Sequence, residues 1–448
     1  MKLTLLNGDA EEELRKIPDE SVDCMITDPP YGISFMNKDW DKAVPDINIW
    51  KECLRVMKPG AFAFVMCSPR SDVQAEMVIK LKEAGFEVNF SSVYWVYASG
   101  FPKSMNISKV VDRKLGYERT RVPNPNSLNQ NKEVLKYGFK DGAISNEGIS
   151  DEAKRLSGSY AGFQPKPGIE VIIVAMKPLS EKTYVEQALK NGKGITWLDD
   201  GRIPYGKEIP NLGGRRLNNR GKGYGFKPLG EDAMANQDGR FPANLLVQDN
   251  VLDIGQTTKS RSFVTKENES KGSGFSLTFE HAVGSIRGVD DSGDLSRYFS
   301  LDAWYSKNIE ELPDYVQRIY PFLYVPKASN SERNEDLNTF EEQIVNDGRK
   351  KNIDNPFQRG ETLRKNIHPT VKPLKLMSYL VTIGSRIGDT ILDPFMGSGT
   401  TGVAAKMLHR DFIGFEIEGK YFEIARARID NHPATRSIFE FDYGSDLK

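Results

Sequence analysis

Four consecutive residues, Asp28, Pro29, Pro30 and Tyr31, carry the first chemistry legible in the chain. They end an apolar run, "SVDCMIT", with an acid, two prolines and an aromatic. An ionised aspartate only accepts hydrogen bonds. Each proline removes a backbone N–H and fixes φ, so its carbonyl is an acceptor with no competing donor beside it. Acceptors grouped in this way suit a group with two N–H donors on one atom, an exocyclic amine. Tyr31 adds a flat face for a planar ring. The turn reads as a receptor for an aminated heteroaromatic base.

A second constellation lies near the other end. "LDPFMGSGTTGVAAKML" (392–408) reads as strand, glycine turn and helix. Gly397 and Gly399 allow close backbone approach, and Ser398, Thr400 or Thr401 can cap the helix. A helix N-terminus after such a turn favours anionic or carboxylate groups. About 20 residues on, Glu416 ends the next strand, where an acid can accept from both hydroxyls of a ribose. The loop lacks the Gly-Lys-Ser/Thr of a phosphate-binding loop, which disfavours ATP and GTP, and departs from GxGxxG, which weakens NAD. A cofactor with a ribose and an amino-acid tail, S-adenosylmethionine, fits better.

These residues need a scaffold. Residues 3–6, 22–27, 61–67, 90–97 and 169–178 read as strands, and 10–17, 46–57 and 72–84 as helices. "MKPG" (57–60) reads as a helix stop followed by a turn. Continuous apolar strands separated by helices predict an α/β fold with a parallel sheet covered on both faces. Asp28 then stands at the carboxyl end of its strand, where open α/β sheets bind ligands. Residues 118–160 are polar and read as a long loop or insertion. From 181 to 366 the chain turns rich in Gly, Asn and Arg, with few periodic segments, and reads as an irregular module. Strands 389–395 and 411–417, with helices 399–408 and 418–429, restore the α/β pattern. The expected divisions are 1–180 and 367–432 as two parts of one catalytic domain, 181–366 as an inserted recognition module, and 433–448 as a tail.

Composition sets limits. The 448 residues suffice for two or three domains. Formal net charge is −1, so any nucleic-acid surface must be local. "GGRRLNNRGKGYGFK" (213–227) offers one: Arg215, Arg216, Arg220, Lys222 and Lys227 among Gly and Asn, with Tyr224 and Phe226 interleaved. Lys259, Arg261, Lys266 and Lys271 form a weaker cluster. Cys24, Cys53 and Cys67 sit in apolar surroundings without a CxxC pair, as reduced core thiols of a cytoplasmic protein would. The four histidines are scattered, so no metal site is expected. The opening "MKLTLLNGDAEEEL" turns acidic too soon for a signal peptide, and no run approaches the ~18 apolar residues of a membrane span.

Together, "DPPY" and "DPFMGSGT" resemble the amino-group DNA methyltransferases, which methylate adenine N6 or cytosine N4. "NGDAEEEL" (7–14), "ECLRVMKPGAFAFVM" (52–66), "YVPKASNSER" (324–333) and "HPTVKPLKLM" (368–377) are similar to further blocks of that family. The order, catalytic turn, variable module, cofactor loop, is that of the permuted β class, with its target-recognition region in the middle. The resemblance covers residues 1–98 and about 320–430. It implies a Rossmann-like, circularly permuted sheet, S-adenosylmethionine as cofactor and double-stranded DNA as partner, with the target base flipped out and neither membrane nor metal involved. The chain is then a monomer or homodimer. Asp28, Pro29, Pro30 and Tyr31 become the catalytic set. Asp9, His368, Thr370, Lys372, Asp393, Phe395, Gly397, Gly399, Thr400 and Glu416 become the cofactor set, with Lys372 near the methionine carboxylate and His368 assisting. Arg215, Arg216, Arg220 and Lys222 become the DNA set. Aspartate at the head of the turn leans to adenine, with cytosine N4 as the alternative. An RNA methyltransferase and a non-catalytic cofactor- or DNA-binding protein are more distant readings. Asp9 has two readings, a contact to the cofactor adenine and a helix cap before "AEEEL". "SGFPKSMN" (99–106) has three: a pocket lining, a segment ordering over DNA, and a plain turn. The permutation further predicts that "LTLLNGD" supplies a third strand between cofactor loop and catalytic turn.

Overall fold

The computed structural model describes residues 1–33, 41–96, 104–122, 143–145, 147–163, 168–204, 239–247, 258–260, 263–264, 286–287, 291–293, 299–300, 330–346 and 361–433. Arg215, Arg216, Arg220 and Lys222 lie outside these, as does most of "SGFPKSMN".

Eight strands form the main sheet: β1 Leu3–Asn7, β2 Val22–Thr27, β3 Met57–Cys67, β4 Val93–Val96, β5 Ile169–Met176, β6 Leu245–Val247, β7 Thr390–Asp393 and β8 Asp411–Glu416. Their order across the sheet is β1-β8-β7-β2-β3-β5-β4-β6. Among the helices are α1 Ala10–Leu14, α2 Ile47–Val56, α3 Ser71–Ala84, α4 Ile107–Lys114, α5 Asp151–Arg155, α6 Tyr184–Asn191, α7 Asn330–Asn334, α8 Leu374–Gly384, α9 Thr400–Met407 and α10 Gly419–Asn431. The Rossmann-like α/β expectation holds: the two ends of the chain share one sheet.

Successive strand residues face opposite sides. Met25, Val65, Ile173 and Phe415 join Trp50 and Leu81 on one face. Ile26, Phe64, Ile172 and Phe412 join Leu380 and Val403 on the other. On α2, Trp50, Cys53 and Val56 fall on one side and are buried, with Asp46 capping the helix through Asn48 N. Trp50 is fully buried, so Trp50→Ala would cost about 3–5 kcal/mol.

Four expectations change. The sheet is not parallel throughout, because β5 runs antiparallel to both β3 and β4. A continuously apolar strand reads the same in either direction. "MKPG" is not a turn: Met57 already pairs with Val22 and opens β3. Tertiary pairing overrides the Pro-Gly signal there. β1 does not lie between cofactor loop and catalytic turn. Ile391 and Leu392 of β7 pair directly with Cys24 and Met25 of β2, and β1 flanks β8 from Leu3↔Phe412 to Asn7↔Glu416. The chain winds from β7 out to β8, β1 takes the next place outward, and the reversal of winding falls between β7 and β2. That reversal is where such sheets open a ligand crevice. Finally, the polar stretch expected as a loop over 118–160 contains α5. Its N-cap Ser150, together with Ile149 N and Arg119, donates to the buried Asp112 of α4.

Part of the 181–366 region belongs with the sheet. β6 pairs in parallel with β4, and Lys193 reaches Asp23 at 2.8 Å and Asp389 at 3.0 Å. Trp197 N donates to Ile383 O of α8 at 2.8 Å.

Candidate active site

β2 is buried along its whole length and delivers Asp28 to the crevice at the reversal between β7 and β2. Pro29 is buried; Asp28, Pro30 and Tyr31 are half-buried. Among the described residues no backbone N–H donates to the carbonyl of Pro29 or Pro30, as an acceptor turn requires. The next two amides, Tyr31 N and Gly32 N, donate to Asp41 Oδ1 at 2.7 and 3.1 Å. Asp41, only 2% exposed, thereby fixes where the turn exits.

Both oxygens of Asp28 are engaged. Tyr31 Oη donates to Oδ1 at 2.7 Å. Lys372 Nζ donates to Oδ2. The same Nζ lies 3.5 Å from Glu170 Oε2 and 5.8 Å from the centre of the Tyr31 ring. Burial, then the charge of Asp28, push the Tyr31 phenol well above its ordinary range, so it stays a neutral donor. Burial pulls Lys372 down, but Asp28 and Glu170 more than offset this and hold it above the usual lysine value. Lys372, expected near a cofactor carboxylate, therefore stands beside the Asp28 carboxylate.

β7 ends at Asp393, which is 2% exposed. Its Oδ1 accepts from Thr27 Oγ1 at 2.7 Å and Phe395 N at 3.2 Å, and its Oδ2 from Thr401 Oγ1 at 2.7 Å. Burial raises this carboxyl to about 6. Asp393 thus braces the end of β2 against the glycine turn. Phe395 packs edge-on against Trp50, ring centres 6.0 Å apart.

The glycine turn is left-handed at Gly397 (φ +54°) and Gly399 (φ +77°). A Cβ at Gly397 would lie 3.0 Å from His368 Nε2, and one at Gly399 3.0 Å from Ala425 Cα. Gly399 is itself the N-cap of α9, so the expected side-chain cap is not formed. The hydroxyls serve elsewhere: Thr401 on Asp393, and Thr400 as acceptor from Arg428 Nη1 at 3.1 Å. Arg428 is 3% exposed and also donates to Ser398 O at 2.7 Å, supporting the turn from α10. Glu416 closes the turn from β8. Its Oε2 accepts from Gly397 N at 2.9 Å and its Oε1 from Glu418 N at 2.8 Å, each oxygen keeping a free lone pair. Burial pushes its carboxyl up to about 7.

His368 is buried against the same turn, its ring meeting Tyr421 edge-on at 4.5 Å. Its Nδ1 accepts from Thr370 N at 3.3 Å, which leaves the proton on Nε2. Burial, with the charges of Arg333, Lys372 and Arg428, pushes it down to about 3, so it is neutral. The "HPT" turn is framed by α7. Arg333 donates to His368 O, and Glu332 Oε1 accepts from Leu374 N at 2.7 Å. Asp9 caps α1, its Oδ1 accepting from Glu11 N at 2.9 Å and Glu12 N at 3.4 Å.

The fold therefore brings Asp28–Tyr31, His368–Lys372, Asp393–Thr400 and Glu416 into one crevice from opposite ends of the chain. Asp41, Glu170 and Arg428 complete it without having been singled out from sequence. A lone acid in the apolar run "IEVIIVAM" was the available signal for Glu170. Asp41 and Arg428 sit in ordinary polar surroundings and offered none. Among the described residues no group of three His, Cys, Asp or Glu is placed to hold a metal, and no described helix is long and apolar enough to cross a membrane.

Residues 252–427 match the family described as DNA methylase. Over 63 residues the chain is 52% identical to the Type II methyltransferase M2.DpnII of Streptococcus pneumoniae, covering 14% of this chain and 24% of that protein. It is 48% identical over 63 residues to the Type II methyltransferase M2.LlaDCHI of Lactococcus lactis subsp. cremoris, covering 14% and 23%. The match thus spans about a quarter of the length of these curated relatives. Among solved structures, PvuII DNA methyltransferase, titled cytosine-N4-specific, aligns over 96% of this chain and 86% of its own with 14% identity and a TM-score of 0.39. The M1.HpyAVI–SAM complex aligns over 96% and 99% with 15% identity and a TM-score of 0.35. Scores this low carry no argument about fold, which rests on the sheet order itself. Residues 252–427 are thus similar to the DNA methylase family, and a 63-residue stretch of the chain to two Type II methyltransferases.

Proposed function

We propose that the protein is a site-specific DNA methyltransferase that moves a methyl group from S-adenosylmethionine to N6 of a flipped-out adenine in double-stranded DNA. One observation carries the reading. The Asp28–Tyr31 acceptor turn and the Gly397–Gly399 turn flank the same crevice, joined by the Thr27–Asp393 hydrogen bond.

The residues present fit the cofactor. Gly397 and Gly399 keep clear a space that a Cβ would fill. Glu416 has lone pairs to spare for ribose hydroxyls. The neutral His368 lies beside the turn, where an amino-acid tail would lie, and Asp9 ends the loop after β1. S-adenosylmethionine supplies an electrophilic methyl on a sulfonium when bound.

A base inside a duplex cannot reach this turn, so the target must leave the stack. Tyr31 offers a face on which the flipped ring stacks. Asp28 and the Pro29 carbonyl accept from the two amine protons. That draws the nitrogen toward a pyramidal shape and stabilises the positive charge that grows on it as it attacks. Holding amine and methyl in line supplies the remaining advantage. The basic cluster Arg215, Arg216, Arg220 and Lys222 would hold phosphates and base edges. The relatives' Type II name supports a place beside a restriction enzyme, and the buried thiols Cys24, Cys53 and Cys67 suit a reducing cytoplasm.

Single-molecule sequencing of DNA from cells expressing the protein tests this. Modified adenines in one short motif are expected. Methylated cytosine in such a motif would transfer the reading to N4, and unmodified DNA would remove it. Asp28→Ala should abolish the marks while calorimetric binding of S-adenosylmethionine persists; lost binding would make Asp28 a cofactor residue instead.

A further inference from the structure

β5 is the reversed strand of the sheet's interior, and that reversal has a chemical effect. In a parallel strand the first residue lies at the edge opposite the site. Because β5 is antiparallel to β3 and β4, its opening residues lie beside the closing residues of those strands: Val171 opposite Cys67, Glu170 opposite Trp95. The reversal thus carries an acid, Glu170, to the edge that holds Asp28. Its side chain is 15% exposed, against 19% for Asp28 and 11% for Lys372. Among the described residues Glu170 Oε2 makes no hydrogen bond. At 3.5 Å, without hydrogen-bond alignment, its contact with Lys372 Nζ is an ion pair only.

Two half-buried carboxylates therefore share one ammonium. Lys372 sits on Asp28 Oδ2, while Tyr31 holds Oδ1. With Tyr31 on Oδ1 and Lys372 on Oδ2, each Asp28 oxygen keeps one lone pair, and an amine that takes the one on Oδ2 lies against the ammonium. An ammonium left there would compete with the amine and repel the positive charge growing on it. Moving the lysine to water would leave two carboxylates, 19% and 15% exposed, side by side without their counter-charge. Moving it to Glu170 needs only a side-chain rotation over a short distance and keeps it paired.

We propose that Lys372 stands on the Asp28 oxygen that the target amine must take, and that Glu170 is the positioning residue that takes the lysine over when the base engages; this rests on the methyl-transfer reading above. The target amine and Lys372 are exchange partners on one oxygen, and Glu170 makes the exchange possible inside the pocket.

The test uses the full chain, a duplex carrying the methylated motif, and the same duplex with 2-aminopurine stacked next to the target adenine, where it brightens when that adenine leaves the stack. Glu170→Gln should lower single-turnover methylation and this rise in 2-aminopurine fluorescence by about tenfold or more. Binding of S-adenosylmethionine should stay within about twofold of the parent, since the lost interaction is not with the cofactor. Adding Lys372→Met to Glu170→Gln should recover the fluorescence, because the competitor is gone. Should Glu170→Gln fail to fold, Glu170→Asp carries the test, with a smaller loss in the same direction. A Glu170→Gln protein with parental fluorescence and rate would overturn the proposal. So would a Lys372→Met substitution that weakens S-adenosylmethionine binding and leaves the fluorescence of Glu170→Gln unrecovered, since that places the lysine on the cofactor. If the parent itself transfers no methyl group, the proposed function falls; if the parent transfers it and Glu170→Gln is indifferent, only this inference does.

Discussion

Asp393 and Thr27 hold the two parts of the site together: the Thr27 hydroxyl donates to the Asp393 carboxylate at 2.7 Å across 366 positions of sequence. The other carboxylate oxygen takes the Thr401 hydroxyl of α9 at the same distance. One buried side chain thus ties β2, β7 and α9. Asp393→Ala should leave two buried hydroxyls without their acceptor and destabilise the protein by about 2–4 kcal/mol. The urea midpoint measures this, and an unchanged midpoint would contradict the brace.

The left-handed turn predicts a loss of affinity. Gly397→Ala sets a Cβ 3.0 Å from His368 Nε2 at φ +54°. Strain of this kind costs about 1–3 kcal/mol, or roughly tenfold in S-adenosylmethionine affinity. Calorimetry on the purified variant reads it directly.

Glu416 predicts a pH dependence with two opposing signs. Its carboxyl is raised by burial to about 7. A carboxyl raised on folding stabilises the folded state at low pH, and that contribution is lost as pH rises from the unfolded value through about 7. The ionised form is the better acceptor for ribose hydroxyls. Cofactor affinity should therefore increase over the window in which this stability declines. Glu416→Gln should flatten both curves; a cofactor affinity independent of pH in the parent would count against the role.

Asp41 predicts a separation of binding from rate. Asp41→Ala frees the Tyr31 and Gly32 amides and loosens the exit of the acceptor turn. Methyl transfer should fall by about tenfold or more while S-adenosylmethionine affinity holds, because misplacing a reacting group acts on the rate. Equal loss of both would mean that Asp41 supports the whole crevice.

The parts of the site legible in the sequence are those built from neighbours in the chain. Asp28 to Tyr31 must be contiguous to form a turn of bare acceptors, and Gly397 to Thr400 must be contiguous to turn a strand into a helix. Such groups leave a local signature. Asp41, Glu170 and Arg428 act across the fold, each on a group brought to it by the sheet; of the three, only Glu170, a lone acid in an apolar run, is marked by its own surroundings. Strand direction was hidden for the same reason: "IEVIIVAM" is apolar on both faces, and only pairing with β3 and β4 decides which way it runs. The place of β1 is not legible because a parallel strand pairs through its backbone and can dock on any open parallel edge, that of β7 facing β2 as well as the outer edge of β8.

The pairing of β1 with β8 and of β2 with β7 sets a schedule for the making of the protein. Translation delivers β2 long before its neighbour. At ~5–20 residues per second, the 366 positions from Thr27 to Asp393 take roughly 20–70 s. Through that interval the nascent chain carries β2 with one open, mainly apolar edge, the kind of surface that seeks strands from other chains. The crevice between the two turns can close only when the last strands arrive, so the glycine turn and the cover for the open edge of β2 come in the same late step.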